Sequence, residues 1–220
     1  MTQEITQAIE ELVGQIDNSL NGTYDALLGH TKVCNTKYAR VGKSVTQGTE
    51  TYVITDVVTD EYIIANDVDG LFYLPQPYFV NGTRISANRE WTIAENDLTK
   101  KTPLIWLLDD ISYIVYGREN PIDWDASIRM FFVDETDPTN YYNKDHIENV
   151  VLPMSKLMEL VIDVVNSNRQ YETLTQYSVR NFTRFGAEDG KGYIQNILDA
   201  NLSGIELSIN LKKYKQNCKC

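Results

Sequence analysis

Ile205-Glu-Leu-Ser-Ile-Asn-Leu211 alternates apolar and polar residues at every position. Side chains of a β-strand point alternately to its two faces, so this stretch predicts a strand with one buried face and one wet face. The buried face would carry Ile205, Leu207, Ile209 and Leu211. A half-buried strand needs neighbouring strands and a packed layer, so the chain should contain a sheet that is covered on one side.

Two amphipathic segments can supply that covering layer. The first predicted helix begins near the N-terminus and ends at Asn21-Gly22, because glycine tolerates the left-handed conformation at a helix end. Its apolar stripe, at spacings of three and four, consists of Ile5, Ile9, Leu12, Val13, Ile16 and Leu20. The second helix carries apolar residues from Val150 to Val165, follows a capping box of Asp145 and Glu148, and has Pro153 in its first turn, after a short pre-helix from His146.

The rest of the chain predicts short antiparallel strands, because it is rich in β-branched and aromatic residues. The predicted strands include residues 51–58, 61–65, 127–133 and 177–185. Residues 75–102 contain few regular patterns but several aromatic side chains, which favours an ordered covering loop. We therefore predict a single α+β domain over residues 1–211, mostly an antiparallel sheet with an N-terminal amphipathic helix and one long helix packed on it. Its elaborated loop region covers about residues 75–103.

The charge is distributed unevenly along the 220 residues. Lys and Arg number 20 against 31 Asp and Glu, which gives a net charge of -11 and disfavours a protein that coats nucleic acid. Residues 212–220 hold four lysines and no acid, leaving -15 on the remaining 211 residues. This predicted basic tail could dock on an acidic neighbour through Lys212, Lys213 and Lys215, or could be a solvated terminus.

Residues 117–125 form a predicted polar loop with Trp124 near its end, between Asp123 and Asp125. A tryptophan among charged residues can anchor an interface, although burial against its own domain is the alternative. These three residues and the three tail lysines are the candidate subunit-contact residues.

Motifs for catalysis or for cofactor and metal binding are incomplete. Gly42-Lys43-Ser44 resembles the end of a phosphate-binding loop but has Lys37 where the first glycine belongs. Asp67-x-Asp69-Gly70 lacks both end ligands of a calcium-binding loop, and Cys218 and Cys220 have no second cysteine pair. With only two histidines, the sequence assigns no catalytic, cofactor-binding or metal-binding residue and predicts a protein that is not an enzyme.

The first residues lack a basic segment followed by an apolar run, which argues against a secretory signal. No stretch approaches the roughly 18 apolar residues of a membrane span, so no membrane partner is expected.

Six sequence segments, taken together, resemble segments of small virion proteins of tailed bacteriophages. They are Thr51–Val57, Asn81–Trp91, Lys100–Leu108, Phe131–Asp137, His146–Met158 and Asn201–Leu207. The similarity is to proteins of crAss-like and related phages and prophages of gut Bacteroidetes. The order of elements also resembles the tail-terminator or tail-completion fold of neck rings.

The resemblance implies a structural role without catalytic residues or cofactors. It implies a head-to-tail ring of copies of this chain in the virion neck or tail, next to portal, connector or tail proteins. Genome DNA would pass without sequence-specific binding, since an acidic passage repels phosphate. Two other classes stay open: a carbohydrate- or protein-binding module that uses exposed Tyr and Trp, and a small hydrolase with His30 or His146 beside two carboxylates.

Overall fold

The computed structural model describes residues 1–93, 101–137, 139–182, 186–188, 194–196, 198 and 200–215. The helices are α1 (Thr2–Val13), α2 (Arg84–Ile93), α3 (Asn143–His146) and α4 (Leu152–Ser167), with a π-helical turn (Ile147–Val151) between α3 and α4. The first eight strands are β1 (Ser19–Asp25), β2 (His30–Val33), β3 (Ser44–Gln47), β4 (Glu50–Val53), β5 (Asp56–Val58), β6 (Tyr62–Ile64), β7 (Gly70–Tyr73) and β8 (Tyr78–Gly82). The others are β9 (Leu104–Leu108), β10 (Ser112–Val115), β11 (Ile122–Glu135), β12 (Ser178–Phe182), β13 (Gly186–Glu188), β14 (Ile194–Asn196) and β15 (Leu202–Tyr214).

Strands β1 to β7 form a sheet that curls into a barrel. Its order is β4-β3-β7-β1-β2-β6-β5, so the two edge strands, β4 and β5, are consecutive in the chain. Seven strands laid flat would hold their edges about 29 Å apart, whereas Val53 and Asp56 can be at most about 11 Å apart. The sheet must therefore bend round. At the join, Ile54 donates its N–H to Lys43 O on the β3 side, and Thr55 donates to Ile64 O in β6.

A second sheet of six strands has the order β12-β15-β11-β9-β8, with β10 also paired to β11. Only β8 and β9 run parallel, and all the other pairs are antiparallel. Strands β11 and β15 pair along nearly their whole length, from Ile122 opposite Tyr214 to Glu135 opposite Leu202. The shorter strands β9 and β10 pair with β11, and β12 pairs with β15.

One apolar core joins the barrel to α1, α4 and one face of the six-stranded sheet. Helix α4 contacts α1, β11 and β15. As the alternation predicts, Ile205, Leu207, Ile209 and Leu211 are all buried. A second cluster lies on the other face of the sheet and includes Trp91, Trp106 and Leu202. The prediction of an α+β fold with a mostly antiparallel sheet, an N-terminal helix and a long packed helix is confirmed.

Helix α1 ends earlier than its apolar stripe predicts. It stops at Val13, and Asn21-Gly22 lies inside β1. All six stripe residues are nevertheless buried in the same core. The chain turns at Asp17, whose Oδ1 accepts hydrogen bonds from the backbone N–H and hydroxyl of Ser19. The helical spacing of apolar residues therefore extends beyond α1, through Ile16 in the loop and Leu20 in β1.

The expected covering loop over residues 75–102 contains regular structure in its described part. Strand β8 pairs with β9, and α2 begins after Thr83, whose hydroxyl accepts the backbone N–H of Ser86. Helix α2 buries mainly Ala87 and Trp91, one turn apart, which is too narrow a stripe to stand out in the sequence.

Pro153 lies in the first turn of α4, as the sequence predicts, and a shorter helical segment precedes it. That segment, α3, begins at Asn143 and not at His146, and Asp145 Oδ2 accepts the N–H of Tyr142, so Asp145 is an acceptor inside the first turn rather than the cap. Proline lacks an N–H and its ring crowds the carbonyl four residues back. The π-helical turn just before Pro153 widens the helix there and lets it continue to Ser167.

Candidate functional site

Strand β10 is an uncovered edge of the six-stranded sheet. It pairs with β11 through Ser112 opposite Ser127 and Val115 opposite Trp124, and all four of its residues are exposed. Ile114 is 59% and Val115 51% exposed. Exposed edge strands usually carry a proline, a lysine or a bulge that blocks pairing with another chain, and Ser-Tyr-Ile-Val has none of these side chains.

The arrangement of β8, β9 and β10 explains why no described strand pairs with the outer side of β10. Both strands lie along the same side of β11, β9 opposite Met130–Val133 and β10 opposite Trp124–Ser127. Five positions separate Leu107 from Ser112, whereas three separate their partners Met130 and Ser127, so the chain bulges at Asp109-Asp110. Strand β8 covers β9 and ends at Gly82, opposite Leu108. Among the described residues, the outer side of β10 is paired to no strand.

The opposite edge of the sheet is β12. It pairs with β15 from Ser178 opposite Ser208 to Phe182 opposite Gly204. Its residues are exposed except for Phe182, which is half-buried, and Val179 is 42% exposed. Within the part of the chain that the structure describes, β12 has a neighbour on one side only.

The six predicted contact residues lie close together, but they mostly contact their own subunit. Trp124 belongs to β11 and is fully buried, so the prediction that it anchors an interface from a loop is wrong. It packs edge-on against Tyr171, with 6.2 Å between ring centroids, and Lys213 lies 6.0 Å from its ring. The charged neighbours in the sequence were misleading because β11 alternates its faces from Trp124 onward, so Asp125 points away from the core that holds Trp124. Asp123 lies at an irregularity of the β11–β15 register.

The basic segment is likewise not a free tail over its described residues. Lys212 and Lys213 are part of β15, so the boundary predicted at residue 211 lies too early. Lys215 donates through Nζ to the carbonyl oxygens of Tyr116, Gly117 and Asn120, with 2.8 Å to Asn120 O, and thereby holds the 116–121 turn. The predicted loop and tail bind each other. Lys219, Cys218 and Cys220 lie outside the described residues.

A polar cleft of about 620 Å³ lies over the outer face of β11 and β15, beside the segment 172–178. Lys212 forms an ion pair with Glu172 across it, 2.7 Å from Nζ to Oε2, and this hydrogen bond raises the pKa of Lys212. Asp125 stands opposite Lys212 in the β11–β15 register. Ser127, Ser208 and Asn210 contribute the floor, and Tyr177 stands at the wall with 42% of its surface exposed.

A buried ionic cluster that sequence reasoning missed joins the barrel to the six-stranded sheet. Asp134 of β11 is 1% exposed, and its Oδ1 lies 3.1 Å from Arg40 Nη1 and 3.2 Å from Lys43 Nζ. Lys43 also donates to Thr102 Oγ1, and Arg40 donates to Glu135 O at 2.9 Å. The Gly42-Lys43-Ser44 resemblance to a phosphate loop is thus explained by a lysine that neutralises a buried carboxylate.

Both histidines have neighbours inside the fold. His30 stacks on Tyr62 with 4.2 Å between ring centroids. His146, at the end of α3, is 8% exposed, and its Nε2 lies 2.9 Å from Ser203 Oγ. Burial lowers the pKa of His146 because the charged imidazolium loses hydration. Of the calcium-like stretch, Asp69 Oδ1 accepts the N–H of Tyr24.

We expect the stability of the protein to fall on mild acidification, and His146→Gln to weaken that dependence. In the unfolded chain His146 takes up a proton near its ordinary pKa of about 6.5, whereas the folded state resists protonation until lower pH. The unfolded state therefore binds more protons below about pH 6.5, and the free energy of unfolding decreases as the pH falls from 7 towards 5.5. Urea denaturation at several pH values measures this slope. Equal slopes in wild type and variant would contradict the assignment.

The tryptophans offer no exposed platform. Trp91, Trp106 and Trp124 are 3%, 1% and 0% exposed. Among the described residues, the well-exposed tyrosines are on separate parts of the chain: Tyr73, Tyr113, Tyr142, Tyr177 and Tyr214. A binding module built on a tryptophan surface is therefore not what these residues form.

Comparison of the chain with protein-family models, with curated proteins and with solved structures finds no match. Among the described residues, no group of three or more His, Cys, Asp or Glu is placed to hold a metal ion. None of the helices in the described part of the chain is long and apolar enough to cross a membrane.

Proposed function

We propose that the protein is a structural subunit that assembles with copies of itself into a ring in the neck or tail of a tailed phage virion. The observation that carries the proposal is the exposed strand β10, with Ile114 and Val115 more than half exposed on an unpaired sheet edge. Such an edge invites aggregation in an isolated subunit. An assembly that covers it removes the liability and gains backbone hydrogen bonds.

Two further features support a ring rather than a simple pair. Strand β12, which pairs on one side only among the described residues, lies at the other side of the same sheet, so the two edges are different surfaces. Contact between different surfaces is heterologous and generates closed rings when the rotation closes. The net charge of -11 supports the proposed passage of DNA, because a like-charged surface does not retain phosphate.

We predict that purified protein forms a ring of several copies, and that Ile114→Lys shifts it to monomer by placing a charge on the pairing edge. Native mass spectrometry and negative-stain electron microscopy give the copy number. Ile85→Lys is the matched control, because Ile85 is 84% exposed on α2 and should leave the ring intact. Circular dichroism confirms that both variants are folded. A wild type that stays monomeric at its highest soluble concentration, and assembles with no neck or tail protein, contradicts the proposal.

A second candidate function is the binding of a small polar ligand in the cleft. The hydroxyl and amide groups of Ser127, Ser208 and Asn210, with Tyr177 exposed beside them, suit a neutral sugar. Titration with neutral oligosaccharides, followed by NMR of wild type and Asn210→Ala, distinguishes this function from assembly. Binding that needs Asn210 but leaves the oligomeric state unchanged would favour it.

A further inference from the structure

Resting on the proposed ring, we infer that β10 of one copy pairs in antiparallel fashion with β12 of the next, so that the six-stranded sheets form one continuous sheet. The inference uses the directions of the two edge strands, their heights along β11 and the chemistry of their side chains.

The strand directions are compatible with this pairing. Strand β12 is antiparallel to β15, and β15 is antiparallel to β11, so β12 and β11 point the same way. Strand β10 is antiparallel to β11 and therefore to β12. When a second copy is placed beside the first in the same orientation, its β10 meets β12 as an antiparallel neighbour. Antiparallel pairing of short strands is slightly more stable than parallel pairing.

The heights of the two edges fix how the copies are displaced. Strand β10 lies at the level of Trp124–Ser127 of β11, whereas β12 lies at the level of Arg129–Val133 through its pairing with β15. The offset between their centres is about five and a half residues, or about 18 Å along the strands. With this displacement the β8–β9 edge of the second copy lies at a level past Phe182, the last residue of β12.

The offset also sets the tilt of the strands in a closed ring. Between one β10–β12 contact and the next, each copy contributes four strands to the continuous sheet. These strands, β12, β15, β11 and β10, span about 19 Å across the sheet. Neighbouring copies are thus displaced by about 19 Å across the strands and by about 18 Å along them. A ring of such copies closes when the strands tilt by about 43° from the ring axis. Closed β-barrels tilt their strands by roughly 35–45°, so this closure is an ordinary geometry for a sheet.

The side chains of the two edges are compatible with pairing. Strand β10 offers Tyr113, Ile114 and Val115, and β12 offers Val179 with the exposed Arg180. Aromatic and β-branched residues opposite one another stabilise antiparallel pairs. Asp109 and Asp110, just before β10, carry charge of opposite sign to Arg180 of β12.

Disulfide trapping tests the pairing directly. The native Cys34, Cys218 and Cys220 are replaced by Ser, and one cysteine is placed on each edge, as Ile114→Cys with Arg180→Cys or Val115→Cys with Val179→Cys, because the two members of each pair lie on the same face of the sheet. Mild oxidation should give a ladder of covalent oligomers that ends at the ring size on a non-reducing gel. Ile85→Cys with Val179→Cys is the control, and it should give no ladder.

The outcomes separate this pairing from the proposed function. A ring that persists by native mass spectrometry but forms no disulfides with either cysteine pair overturns the pairing and leaves the ring. Covalent dimers from Ile114→Cys alone, without a ladder from the pair, show that β10 meets β10 about a two-fold axis, which also overturns it. A chain that forms no oligomer overturns both proposals.

Discussion

Replacing Asp134 with Asn will destabilise the protein by about 3–5 kcal/mol, because it removes the negative charge on which two buried cations depend. Asp134 is 1% exposed, and its Oδ1 lies within 3.2 Å of both Arg40 and Lys43. Asparagine keeps the shape of the side chain and loses the charge. Arg40 and Lys43 would then remain in a low-dielectric environment without a counter-charge, and hydration cannot compensate them there.

Chemical denaturation of wild type and variant measures the loss as a lower midpoint. Asp163→Asn is the matched control, since Asp163 lies on the exposed side of α4 and should change stability by less than about 0.5 kcal/mol. The double variant Asp134→Asn with Lys43→Met should recover part of the stability, because it removes one of the two buried cations. A loss below about 1 kcal/mol in Asp134→Asn would contradict this account of the cluster.

Sequence patterns predicted the helices and strands in which buried residues recur at one regular spacing along the chain. The alternation in Ile205–Leu211 and the helical stripe of α4 both depend on residues a few positions apart, and both are confirmed. The stripe of α1 continued past the helix because Ile16 and Leu20 reach the same core from a loop and a strand. Periodicity reports which residues are buried, and the backbone conformation that buries them can change within one stripe.

The buried ionic cluster, the burial of Trp124 and the edge position of β10 were harder to predict because they depend on contacts between distant residues. Asp134 and Lys43 are 91 positions apart, and nothing local marks either of them as buried. Trp124 was misjudged because its neighbour Asp125 points to the other face of the same strand, so a charged residue stands beside a buried one in the sequence. The edge position of β10 follows from where β8 ends, which is a property of the sheet order and not of the residues Ser112–Val115.

In the proposed ring, the buried cluster would couple the barrel to the edge strand β10 within each copy. The ion pairs of Asp134 tie the barrel to one end of β11, and β11 pairs with β10 near its other end, at Trp124–Ser127. Strand β11 pairs with both β10 and β15 and also carries Asp134. A force on the proposed β10–β12 contact is therefore transmitted to the β11–β15 ladder. Loss of the cluster should therefore weaken assembly as well as folding.

Replacing Gly204 with Ala will destabilise the protein by about 2–6 kcal/mol, since it affects the same ladder at its most crowded point. Gly204 has a φ of +155°, a conformation that residues with a side chain rarely adopt, and it lies opposite Val133 in the β11–β15 register. An added Cβ would come 2.0 Å from the carbonyl oxygen of Phe132 and 3.0 Å from the Cα of Val133. Backbone strain of about 1–3 kcal/mol and overpacking of about 1–3 kcal/mol both contribute.

The atoms that crowd Gly204 belong to the backbone, so no side-chain rotation can relieve the contact. Strands β11 and β15 would have to separate locally, which would disturb the buried neighbours Phe132 and Ile205 on the core face. Gly117→Ala is the matched control, because a Cβ there meets nothing within 4 Å, and its stability should stay within about 0.5 kcal/mol of wild type. Thermal and urea denaturation compare the two variants. If Gly204→Ala were as stable as Gly117→Ala, the close approach of β11 and β15 at this position would be wrong, and with it the register that places β10 and β12 at different heights.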